Sequence, residues 1–155
     1  MNFIAKITAA AVLSLPSLAS AQMLVASDPD SLVQFFVEEG ADVESTVDNT
    51  GDPMLEVDYY GTDFTLYFYG CSNNSDCKSI QFFSGYQTEG SVRKAKINEW
   101  NANNRFARGY ISEGGSARIE HDLYLGNTGV TADDFAALTS KWSKAQGEFE
   151  EFIDW

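Results

Sequence analysis

The chain has 155 residues, of which 23 are Asp or Glu and 10 are Lys or Arg, for a formal net charge of −13. A surface this acidic repels nucleic-acid phosphates and anionic lipid head groups, which argues against both as partners. With 11 Phe, 7 Tyr and 3 Trp, the composition is that of a packed globule and excludes a disordered chain.

In chain order, the first stretch is MNFIAKITAAAVLSLPSLASAQ. Lys6 and the amino terminus supply positive charge, Ile7 to Leu18 is mostly apolar, and Ala19-Ser20-Ala21 is a small-x-small cleavage pattern. This predicts a secretory signal peptide over 1–21, cut before Gln22. A membrane anchor is the competing reading, but the apolar run is short for a span, Pro16 interrupts it and no second run follows. The expected product is a single domain over 22–155, periplasmic or secreted, with no membrane insertion. Its charge is uneven: 22–77 holds 12 acidic residues and no Lys or Arg, whereas 78–155 holds 11 acids and 9 bases. The acidic half is either a solvated surface or a face for a basic partner or divalent cations.

Ser27-Asp28-Pro29-Asp30 starts a helix with Leu32, Phe35 and Phe36 on one side, and Gly40 ends it. Val43 to Val47 alternates as a weakly buried strand, and 49–53 is a turn cluster. Met54 to Tyr60 and Thr62 to Tyr69 are strands joined at Gly61. Phe64, Leu66 and Phe68 alternate with Thr65, Tyr67 and Tyr69, so both sheet faces are expected to be partly covered. A strand from Lys78 to Ser84 completes an antiparallel meander. Ser91 to Asn104 is a helix carrying Trp100 and a basic cluster, Arg93, Lys94 and Lys96. Arg105 to Ile111 and Ala117 to Leu125 form a hairpin. The final helix, Thr131 to Trp155, opens with a capping-box-like Thr131-x-x-Asp134 and carries an apolar seam of Phe135, Leu138, Trp142, Ala145, Phe149 and Phe152. The order α-β-β-β-β-α-β-β-α predicts an α+β fold, a largely antiparallel sheet with flanking helices.

Chemistry-bearing patterns are few. Cys71 and Cys77 are the chain's only cysteines and flank a hairpin loop. Zinc would need His121 and a carboxylate besides, and a thioredoxin-type site would need a tighter spacing. A disulfide is the expectation for an exported protein, with a metal site or a redox pair as alternatives. Glu120-His121-Asp122 could host hydrolytic chemistry, but strand alternation turns His121 away from both acids. Glu120 and Asp122, with Arg105 and Arg118, are instead the candidate charged surface. No phosphate loop, nucleophile elbow, calcium loop or zinc motif occurs. The expectation is no enzyme, no cofactor and no resident metal.

Across several segments, GDPMLEVDYYGTDFTLYFYGC, CKSIQFFSGY, INEWNANNRFARGYI, ARIEHDLYL and GVTADDFAALTSKWSKAQGEFEEFIDW, the chain resembles the YbjN family of bacterial domains. Asn98-Glu99-Trp100-Asn101 ahead of Arg105-Phe106-Ala107 is the most distinctive part, and the two cysteines suggest an exported branch. The resemblance implies a fold similar to type III secretion chaperones, the label of sensory transduction regulator, and no established catalytic residues or cofactor. The leading functional expectation is therefore an exported, non-enzymatic protein-binding domain, a regulator or chaperone-like factor, with an unidentified protein partner or a second copy of itself. The alternative is a periplasmic small-molecule sensor. Tyr59, Tyr67, Tyr69, Trp100 and Tyr110 are the candidate pocket or interaction residues under either reading.

Overall fold

In the computed structural model, residues 22–155 are described, and the segment read as a signal peptide lies outside the described residues. Pro29 opens α1 (Pro29–Glu38), its fixed φ and missing N–H costing nothing in the first turn. Gly40, at φ +83°, turns the chain out of that helix. β2 (Asp42–Val47), β3 (Pro53–Tyr59), β4 (Thr62–Tyr69) and β5 (Ser79–Tyr86) follow as an antiparallel meander, preceded by the two-residue β1 (Met23–Leu24). Tyr60 and Gly61, at φ +53° and +78°, form the two-residue turn between β3 and β4, the backbone hand that matches strand twist. α2 (Lys94–Asn103), β6 (Arg108–Ile111), β7 (Ala117–Tyr124), the two-residue β8 (Val130–Thr131) and α3 (Ala132–Ile153) complete the order.

The main sheet has six strands in the order β2-β3-β4-β5-β7-β6, and β1 pairs with β8 apart from it. The α+β architecture expected from the sequence is the one observed, with β1 and β8 as additions. Those two strands are too short to leave a period in the sequence.

All three helices lie on one face of the sheet. Phe36 of α1 packs edge-on against Phe64, Phe135 and Trp142 of α3 pack on Phe82, and Trp100 of α2 meets Phe149 of α3. Leu55, Val57, Phe64, Leu66, Phe68, Ile80, Phe82, Ala117 and Ile119 supply the sheet side of this core. On the other face no element lies over the strands among the described residues, yet Thr65, Tyr67 and Phe83 are half-buried, so both faces are partly covered as expected, the second without a helix layer. Tyr67, Phe83 and Arg118 are half-buried there because they shield one another.

The apolar seam of α3 is corrected. The buried line is Phe135, Thr139, Trp142, Gln146, Phe149 and Ile153, whereas Leu138, Ala145 and Phe152 are half-buried at its flank. The line includes two polar residues that a hydrophobic pattern passes over. One half of the capping box is present: Thr131 Oγ1 accepts from the Asp134 N–H at 3.1 Å, while the Asp134 carboxylate accepts from the Thr131 hydroxyl at 2.8 Å and not from its backbone N–H.

Candidate functional site

Cys71 and Cys77 are joined in a disulfide. They continue the register of β4 and β5 past the Tyr69–Ser79 pair, so the bond closes the hairpin where its ladder ends. Closing so short a loop contributes about 2 kcal/mol in the chain-entropy account. The loop it closes does more than turn. Asn74 Nδ2 donates to the Thr50 carbonyl at 3.2 Å and to Asp52 Oδ1 at 2.9 Å, docking the loop on the β2–β3 turn. That turn is wound around Asp48, whose carboxylate accepts from the Thr50 hydroxyl and from the N–H groups of Thr50 and Asp52. The Thr50 hydroxyl bond, ahead of those from the backbone, holds the Asp48 carboxyl below the ordinary 3.8.

The distinctive Asn98-to-Ala107 stretch is a clamp. Trp100 is buried, and its Nε1 donates to the Ala107 carbonyl at 3.2 Å. Asn101 donates to the Gly109 carbonyl at 3.0 Å and accepts from the Gly109 N–H at 2.7 Å. One carboxamide thus occupies both polar groups of Gly109 on the outer edge of β6, as a neighbouring strand would, and shields that edge from stray pairing. Arg93, Lys94 and Lys96 sit at the start of α2, where Lys96 bridges to Asp154 at 2.7 Å.

The uncovered face of the sheet gathers three of the five candidate aromatics. Tyr67 and Tyr69 on β4 and Tyr110 on β6 point to it, with Phe83 of β5 between them. The Tyr67 ring meets Phe83 edge-on at 5.5 Å and Tyr69 at 6.4 Å. Arg118 of β7 lies over both Phe83 and Tyr110, at 5.6 and 5.9 Å from the ring centroids, and forms no ion pair among the described residues. Burial raises Tyr67 and Tyr69 above the ordinary 10.0, so both hydroxyls stay protonated donors at neutral pH. Beside them Tyr69 donates to Gln81 at 3.4 Å and Gln81 donates to Asp122 at 2.9 Å. The other two candidates lie elsewhere. Tyr59 is on the helix face beside Phe36 and Tyr60, and Trp100 is sealed in the core.

The charged candidates divide in the same way. Glu120 is 5% exposed, and Arg108 grips it through Nε at 2.8 Å and through Nη2, which makes Arg108 the partner rather than Arg105 or Arg118. Arg105 is exposed on the link from α2 to β6, on the rim of a depression of about 390 Å³ that also borders Glu120, His121 and Asp122. Neither carboxylate bonds to the imidazole there, because His121 lies opposite Phe82 on the helix side of the sheet while Glu120 and Asp122 lie on the other side, engaged by Arg108 and Gln81. Burial lowers His121 below the ordinary 6.5, with Asp122 opposing the shift. A larger groove, about 940 Å³, runs where the ends of β4 and β5 face the second half of α3.

Sequence reasoning passed over Phe83, Arg108, Gln146 and Glu150. Alternation along β5 could have placed Phe83 beside Tyr67. The others depend on strand order and on which side of α3 faces inward.

The family model for YbjN, described as "Putative bacterial sensory transduction regulator", matches residues 28–155. Among solved structures, the chain is similar to the crystal structure of YbjN, "a putative transcription regulator from E. coli". That likeness has a TM-score of 0.59 at 14% identity and covers 84% of this chain and 91% of that one. No curated protein matches.

Proposed function

The chain belongs to the YbjN family, and from that membership we propose that it is an exported, non-enzymatic regulator that binds a protein partner through the uncovered face of its sheet. The observation carrying this reading is the cluster of Tyr67, Phe83, Arg118 and Tyr110, which runs from the middle of that face to its β6 edge. Tyr and Arg are the residue types that dominate binding energy at protein interfaces, because they pair a large rigid surface with a polar tip. A rigid sheet also holds them in place before the partner arrives, which lowers the ordering cost of association.

Export is supported by the disulfide, which persists in oxidising compartments, and no helix among the described residues is long and apolar enough to cross a membrane. A small-molecule sensor would call for an enclosed aromatic pocket. Tyr59 and Trp100 point away from Tyr67, Tyr69 and Tyr110, so these rings do not converge on one cavity.

The test is crosslinking of the full chain in its native envelope, comparing wild type with Tyr67→Ala and Arg118→Ala. Each variant is expected to keep the circular dichroism spectrum and to weaken partner recovery by about tenfold or more, the scale of an interface hot spot. Undiminished crosslinking in both variants rejects this face as the contact surface.

A further inference from the structure

The β4–β5 ladder stops before its strands do. Its last pair is Thr65–Phe83, whereas β3–β4 pairing continues to Tyr59–Thr62 and β5–β7 pairing to Tyr86–Ala117. Residues 62–64 and 84–86 therefore part company and leave a slot inside the sheet. Side chains take the place of the missing strand partner: Gln146 Nε2 of α3 donates to the Asp63 carbonyl at 2.9 Å, and Ser84 Oγ donates to the same oxygen at 3.3 Å.

The slot opens into the larger groove, bordered by Asp42, Glu44, Glu56, Asp58, Asp63 and Glu150, with Arg118 as its one basic neighbour. The strand register puts Asp42 opposite Asp58, Asp58 opposite Asp63, and Glu44 opposite Glu56. Like charges directly opposed across strands destabilise a sheet, and none of these carboxylates has a cationic partner among the described residues.

A second observation is independent of the acids. Gln146 is only 3% exposed, and its Oε1 meets no hydrogen-bond donor among the described residues. The amide orientation follows from its other end, since Nε2 must face the Asp63 carbonyl. A buried acceptor left without a donor is costly, and this one needs an N–H or O–H group. Glu150 beside it already accepts from the Tyr86 hydroxyl at 2.9 Å and has a further oxygen to offer.

We propose that this groove seats a lysine or arginine side chain from a basic segment of the partner protein, with Gln146, Glu150 and Asp63 as its acceptors and the opposed carboxylates of β2, β3 and β4 as the attracting field. The proposal rests on the reading of the sheet as a protein-binding surface and specifies the chemistry of what binds there. Charge complementarity selects the occupant: a cation relieves the carboxylate repulsion, and its N–H groups supply the missing donor.

The probe is a fluorescently labelled oligolysine peptide, titrated with the full-length chain at near-physiological ionic strength and followed by anisotropy. Asp63→Asn and Glu150→Gln remove charge in the groove. Asp30→Asn and Asp133→Asn remove the same charge at the starts of α1 and α3. Each groove variant is expected to weaken binding about tenfold, and each distant variant by no more than about twofold. Equal weakening by both sets reduces the effect to long-range charge and overturns the proposal, as does wild type that fails to bind. Calcium chloride should displace the peptide no better than sodium chloride at matched ionic strength, and selective displacement by calcium would also overturn it. Failure here with crosslinking still dependent on Tyr67 and Arg118 leaves the open-face reading standing. Crosslinking that ignores Tyr67 and Arg118 sinks that reading whatever the peptide does.

Discussion

Asn101 at the β6 edge and Gln146 between β4 and β5 perform the same task, each using a carboxamide to occupy backbone groups that lack a strand neighbour. Asn101 is satisfied by doing so. Gln146 is not, and that difference is what separates a structural clamp from a candidate binding element. His121 shows a single residue setting a pH response. Its imidazole is held below 6.5 chiefly by burial, so the folded state binds the proton less readily than the unfolded chain does. Stability is then unaffected above the unfolded value and falls as pH drops toward the lowered folded value. Thermal unfolding should accordingly show a lower Tm at about pH 5 than at about pH 7, and His121→Gln should flatten that slope. An unchanged slope in the variant would assign the pH response to other groups.

At the scale of elements, the last helix shows where periodicity stops being informative. Both the expected seam and the observed line step by alternating threes and fours, and they share Phe135, Trp142 and Phe149. They diverge at three positions: Thr139 and Gln146 are buried by what surrounds them and not by their own hydrophobicity, and Ile153 takes the inward place expected of Phe152. The strands were more legible, since a period of two leaves only two choices of face. Two glycines make the contrast testable. A Cβ on Gly109 of β6 would lie 2.9 Å from a Phe149 ring carbon and 3.3 Å from Ile97, so Gly109→Ala should cost about 1–3 kcal/mol through overpacking. Gly147, inside α3, has nothing within 4 Å of such a Cβ, and Gly147→Ala should stabilise by up to about 1 kcal/mol through helix propensity alone. Urea denaturation measures both, and the two midpoints should move in opposite directions.

Over the whole molecule, the base-free stretch of 22–77 becomes one end of the sheet, with β2, β3 and β4 displaying their carboxylates side by side. A net charge of −13 spread this way should make the fold sensitive to ionic strength. Raising sodium chloride from about 0.01 M to about 0.15 M, which shortens the Debye length from roughly 30 to 8 Å, should raise Tm measurably, and a Tm that does not move would show that the carboxylates barely interact. The sequence by itself determined the three helices, the six strands of the main sheet and the α+β class, because these are written in local spacing and cap residues, and its likeness over several segments carried the family. Tertiary structure alone decided which sheet face stays bare, that Arg108 takes Glu120, and that β4 and β5 part around Gln146. Those outcomes depend on strand order and register between residues far apart in the chain, where no local period carries the information.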